Sequence, residues 1–190
     1  MTCALPVDRE TTAYHEAGHA VMAFLSGIFV IDGPIHIDGT LTEKGNAETP
    51  LHQDPALLAH RQAEGWVVDE FEQRKQRAVI AAAGYAAEML LADKVGRAFD
   101  NEAAFRGAHG DVLTVRKVWG TGAFIGFAER VAAVMLKPEV WAMVDRLAKT
   151  LLARSGPLPA AEVTASLEAD QAAGGAKVGL HLPELRPPPE

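Results

Sequence analysis

From Asp8 to just past Gly27 the apolar positions Tyr14, Ala17, Val21, Phe24, Leu25 and Ile28 step by three or four, the spacing of one face of an amphipathic helix. Asp8 is placed to cap the first turn, with acidic Glu10 just inside it, and Gly27 is the expected stop. The period then changes. β-Branched pieces at Ile28–Ile31 and Ile35–Ile37 flank Asp32-Gly33-Pro34, and Asp38-Gly39 is a second turn signal; together they predict a small hairpin or ribbon. Residues 40–70 are polar and irregular, apart from Asp54-Pro55, which can cap a short helix over Ala56–Glu64. A long helix is predicted from about Asp69 to Val95, so apolar from Ala78 onward that it belongs at the centre of the core. Gly96–Gly110 reads as a glycine-containing linker. Helical spacing resumes over Asp111–Trp119, Ala123–Leu136 and Glu139–Ala153, with Pro138 at one boundary, and again from Ala160 to about Ala173. The expected fold class is mostly α with a small β ribbon: one domain over residues 1–173, then an extended or disordered tail over Gly174–Glu190.

Composition narrows the partners. With 48% hydrophobic residues the chain can bury a sizeable core, which excludes general disorder. The 18 basic residues are scattered among 25 acidic ones, for a net charge of −7, so neither a nucleic acid nor an anionic membrane surface is the expected partner. A single cysteine, Cys3, offers no disulfide framework and no thiolate zinc cage. The N-terminus lacks the basic and apolar regions of a signal peptide. The apolar stretches Ala20–Ile31 and Ala78–Ala92 are short or interrupted by Ser26, Gly27, Tyr85 and Glu88, below the ~20 residues of a membrane span. The expectation is a soluble, cytoplasmic, acidic protein.

One segment carries chemistry: His15-Glu16-Ala17-Gly18-His19, an H-E-x-x-H inside the first predicted helix. At 100° per residue the two histidines are about 40° apart and one turn above each other, so both imidazoles can reach one zinc ion. Glu16 lies about 60° from His19 on the other side, where its carboxylate can flank the metal and take a proton from a zinc-bound water. Gly18, mid-helix, costs about 1 kcal/mol relative to alanine and points to a close approach by another element. A third protein ligand must come from elsewhere. The extended H-E-x-x-H-x-x-G-x-x-H form is absent, since Met22 and Leu25 occupy the relevant positions, and the candidates are Glu88, Asp111, His109, His36, His52 and His60.

Ala13-Tyr14-His15-Glu16-Ala17-Gly18-His19-Ala20-Val21 resembles the opening motif of the peptidase domain of FtsH-type zinc proteases. Ala83-Gly84-Tyr85-Ala86-Ala87-Glu88 looks like that family's GGRAAE helix, and Gly107-Ala108-His109-Gly110-Asp111-Val112 looks like its GAxxDL segment. The resemblance covers about residues 8–155 and implies a helical zincin-type metallopeptidase domain with a small β ribbon near the site. It implies His15, His19 and Asp111 as zinc ligands, Glu16 as catalytic base and Glu88 in a supporting role beside a ligand. Departures are Tyr85 where the family has arginine, a poor fit over residues 40–70, and no G-x-x-x-x-G-K-[ST] nucleotide motif.

The expected activity is zinc-dependent, ATP-independent hydrolysis of unfolded or flexible polypeptides, with a homo-oligomer or a separate partner chain as alternatives for assembly and substrate delivery. Ile35–Ile37 is a candidate edge for an extended substrate. Two other functions fit H-E-x-x-H: a regulatory protease of the ImmA/IrrE sort that cuts one partner protein, and a non-catalytic zinc-stabilised interaction module. The presence of Glu16 disfavours the last, because a structural zinc site needs no base.

Overall fold

The first helix forms where its spacing requires. In the computed structural model, which describes residues 8–38, 49–120, 122 and 124–179, helix α1 spans Arg9–Ser26. The Asp8 carboxylate accepts the Glu10 N–H at 3.2 Å and the Thr11 hydroxyl at 2.8 Å. Caps of this kind contribute about 1 kcal/mol. Gly27 ends the helix at φ 70°, donating its N–H to the Phe24 carbonyl.

Strand β1, Phe29–Ile31, follows directly and pairs antiparallel with β2, Leu51–Gln53, with Val30 opposite His52. This corrects the expected hairpin. The partner of β1 is not Ile35–Ile37. Instead Ile35 exchanges two backbone hydrogen bonds with Leu158, at 2.9 and 3.0 Å. The physical reason lies at the turn. Asp32 donates its N–H to the Pro50 carbonyl, and the Pro50 ring sits so close to Gly33 that a Cβ there would meet it at 2.8 Å. The Gly33 surface therefore receives the segment leading into β2 rather than the continuation of its own chain. Leu51-His52-Gln53 lacks β-branched residues and alternation long enough to be seen as a strand.

Helix α2 (Pro55–Ala63) is capped by Asp54, and α3 (Glu70–Lys94) by Asp69. The expected linker over 96–110 is instead largely helical: α4 spans Asn101–Gly107 and α5 spans His109–Trp119. Asp100 caps α4 through the Ala103 N–H at 2.9 Å, and Phe105 packs edge-on against Phe124. Gly107 and Gly110 sit within helices, so the glycine content did not mark a loop here. The remaining helices are α6 (Phe124–Met135), α7 (Pro138–Ala153) and α8 (Ala160–Ala172), close to their predicted positions. Arg9 ties the first turn of α1 to the end of α7 by donating to the carbonyls of Leu152 and Arg154, at 2.8 and 2.5 Å.

At the centre, α1 lies against α3 through small residues. Ala13, Ala17 and Ala20 on α1, and Ala82, Ala83, Ala86 and Ala87 on α3, are fully buried. Gly18 is where the backbones come closest: a Cβ there would stand 2.6 Å from the Ala83 carbonyl oxygen. Tyr85 packs its ring on Phe99 and Phe124, and its hydroxyl donates to Asn101. The expected tail begins with a return to the body, since Ala176 is buried and Gly179 donates its N–H to the Leu25 carbonyl at 2.8 Å. The arm before Asp8, residues 39–48 and the tail beyond 179 lie outside the described residues. Among the described residues no helix is long and apolar enough to cross a membrane.

Gly18→Ala gains helix propensity but presses a methyl group onto the α3 backbone. A net destabilisation of about 1–3 kcal/mol is expected, read as a lower urea midpoint at unchanged m-value. An unchanged or raised midpoint would show that the two backbones are not held at this distance.

Candidate metal centre

The packing of α1 on α3 places the H-E-x-x-H motif where two helices meet a third. His15 and His19 lie one turn apart on α1, and Asp111 enters from the first turn of α5. The two Nε2 atoms are 2.9 Å apart, and the Asp111 Oδ2 is 3.5 Å from each. A triangle of those sides has a circumradius of about 1.9 Å, close to the ~2.0–2.2 Å bonds that zinc makes to imidazole nitrogen and carboxylate oxygen. Gly84 of α3 makes room for the rings: a Cβ there would lie 2.5 Å from the His15 Nε2 and 2.6 Å from the His19 Nε2.

Both rings are oriented from behind. The His15 Nδ1 is 2.6 Å from the Glu88 Oε1, and the His19 Nδ1 is 2.7 Å from the Ile80 carbonyl oxygen. Carboxylate and carbonyl can only accept, so each Nδ1 carries the proton and donates it, turning both Nε2 atoms toward Asp111. Glu16 is only 2% exposed, and its Oε2 accepts the Thr49 hydroxyl at 2.6 Å. Three carboxylates, those of Glu16, Glu88 and Asp111, thus surround two imidazoles. A divalent cation would complement that charge, and the donor set of two nitrogens and one carboxylate oxygen suits zinc.

The charge balance appears in the titration of the rings. Burial opposes a charge on His15, but hydrogen bonding to Asp111 and Glu88 and the Glu16 charge outweigh it, lifting the imidazole from 6.5 to about 10 in the metal-free site. His19 is raised as well, its burial outweighed by the charge of Asp111 and a hydrogen bond to it. Burial would raise Asp111, yet the two histidines hold its carboxyl well below the usual carboxylate range.

Of the six candidates for a third ligand, Asp111 is the one brought to the two histidines. Glu88 stands on the far side of the His15 ring, on its Nδ1. His36 and His109 are exposed, His52 pairs with Asp32 at 2.7 Å, and His60 lies 3.4 Å from Glu64. The sequence reading missed Gly84, the Ile80 carbonyl and Thr49. Gly84 carries a signal of the kind that marked Gly18, a glycine inside a helix otherwise rich in alanine. A backbone carbonyl and a threonine 33 residues from its partner carry none. Compared with known protein families, with curated proteins and with solved structures, the chain matches none.

Gly84→Ala should push the two rings apart and weaken zinc binding by at least about tenfold, measured by competition with a chromophoric chelator, while helical circular dichroism is retained. Wild-type affinity in this variant would refute the cradle.

The His15 charge stabilises the metal-free fold fully below 6.5, and that contribution drains away as pH rises through about 10. Metal needs neutral rings, so binding near neutral pH should expel protons, and affinity should climb with pH across that window. Calorimetry of zinc binding in two buffers of different ionisation enthalpy checks this: buffer-dependent heats are expected, and identical heats would contradict it.

Proposed function

We propose that this chain is a zinc metallopeptidase related to the peptidase domain of FtsH-type proteases, hydrolysing peptide bonds in unfolded or flexible polypeptides. The observation that carries this reading is the triangle of His15, His19 and Asp111, with the Glu16 carboxylate near enough for its charge to act on both imidazoles. Two imidazoles and one carboxylate leave a coordination position for a reactant, which a structural zinc site closes with a fourth protein ligand. His15, His19 and Asp111 would hold the zinc, which would supply Lewis acidity to polarise a carbonyl and to lower the pKa of water toward about 7.

The chain's own residues do the rest. Glu16 accepts the proton of the attacking water and returns it to the leaving amine. Glu88 and the Ile80 carbonyl hold the ligand rings in one tautomer. Substrate binding falls to β2. The bonds from Asp32 to Pro50 and from Asp54 to Ile28 set the hydrogen-bonded pairs of the ladder, so the backbone groups of Leu51 and Gln53 point away from β1. An extended peptide can add to that edge with little regard for its side chains. The edge at Ile35, expected to serve this purpose, is instead paired with Leu158. These 190 residues hold no nucleotide-binding motif, so the chain acts on polypeptide that is already unfolded.

With zinc-loaded protein and casein as substrate, Glu16→Gln should abolish hydrolysis while keeping about one equivalent of zinc, whereas His15→Ala should lose both. Asp111→Asn should lose most metal and activity, and Glu88→Gln should lower them on the order of 10–100-fold. A stably folded protein should resist cleavage, and ATP should change nothing. Zinc retained in every variant with no cleavage of any polypeptide by the wild type would favour the non-catalytic interaction module, and cleavage confined to one protein would favour the dedicated regulatory protease.

A further inference from the structure

We propose that Thr49 is a positioning residue for Glu16, and that the β ribbon exists to deliver it; the proposal rests on the peptidase reading above. Thr49 is 8% exposed, and its Oγ1 lies 2.6 Å from the Glu16 Oε2 and 3.3 Å from the Glu16 carbonyl oxygen. A hydroxyl has one proton to donate, and the short contact takes it to the carboxylate. One oxygen of Glu16 is thereby engaged, which restricts the carboxylate to one orientation and leaves Oε1 as the oxygen available to a reactant.

The anchoring of Thr49 is specific. Pro50, next in the chain, accepts the Asp32 N–H at 3.1 Å and lies on the bare face of Gly33. Leu51 and Gln53 then pair with Ile31 and Phe29. The strand β1 itself leaves α1 through the left-handed Gly27. The path from Glu16 down α1, through β1, across to β2 and back to Thr49 is thus a closed loop whose two ends meet at the carboxylate. Threonine meets both demands of this place. Its methyl group suits a buried site at a strand entrance, and its hydroxyl supplies the donor. The strand whose outer edge would receive the substrate begins two residues after the residue that orients the base. Peptide added to β2 and the Glu16 carboxylate therefore share one rigid reference.

Thr49→Val keeps the branched shape and removes only the hydroxyl, and Thr49→Ser keeps the hydroxyl. Steady-state kinetics on an unfolded polypeptide should show kcat for Thr49→Val reduced on the order of 10–100-fold with KM within about twofold and zinc content unchanged. Thr49→Ser should stay within severalfold of wild type. Full kcat in Thr49→Val, or a serine variant as impaired as the valine one, would overturn the proposal. Should Thr49→Val not fold, Thr49→Ala takes its place. A second readout needs no turnover: in crystal structures of the variants, the Glu16 carboxylate should leave its wild-type position without the hydroxyl and keep it with serine. If the wild type cleaves nothing, the peptidase reading fails, and this structural comparison alone decides Thr49. A Glu16 carboxylate unmoved in Thr49→Val would refute its positioning role.

Discussion

The distance between α1 and α3 governs the rest of the molecule. Two helices separated by ordinary side chains lie 8–10 Å apart. Here Gly18 brings the α1 backbone onto the Ala83 carbonyl, and Gly84 leaves its own side-chain space to the rings of His15 and His19. The two glycines perform opposite services. Gly18 lets backbone approach backbone, while Gly84 gives the space so gained to the imidazoles. Alanines around them bury little area each, so stability at this contact comes from closeness and from the surrounding aromatic and branched residues on α6 and α7.

Bringing the helices so close obliges the polar groups between them to find partners within reach. The Ile80 carbonyl and the Glu88 carboxylate face the rings of α1, and each accepts a hydrogen bond from an Nδ1–H. A neutral imidazole with its proton fixed on one nitrogen presents a lone pair on the other, so partners that satisfy the burial requirement also leave two nitrogens that could hold a metal. In the metal-free site the carboxylates of Glu16, Glu88 and Asp111 raise the affinity of the rings for protons. The same excess of negative charge favours a divalent ion in place of those protons.

Around this centre the short ribbon has an importance out of proportion to its length. Three-residue strands contribute little stability by themselves. Their effect is geometric: they bring a distant, polar stretch of chain back to the middle of α1, where Thr49 meets Glu16. Ile35 and Leu158 close a second, smaller seam, while Gly179 donates to the Leu25 carbonyl and Arg61 to the Gly27 carbonyl, so the C-terminal end of α1 is held from two sides.

Most helices, and the histidines and Glu16 of the candidate site, were legible in the sequence because they depend on short spacing. Caps such as Asp8, Asp54 and Asp69, apolar steps of three or four, and two histidines one turn apart are local properties that each segment carries alone. Asp111 was legible through the resemblance of its flanking residues, but not from spacing, since it is 92 residues beyond His19. The helix over Asn101–Gly107 was hidden because glycine in a helix and glycine in a linker look alike without the packing of Phe105 on Phe124. The pairing of β1 with β2 rather than with Ile35–Ile37 was decided by contacts between distant segments, Pro50 on Gly33 and Leu158 on Ile35. Thr49, the Ile80 carbonyl and the space at Gly84 belong to the same class. Local periodicity specified which residues could act, and only the tertiary approach of α1, α3, α5 and the ribbon decided which of them meet, because hydrogen bonds and close packing between segments far apart in the chain leave no periodic trace in it.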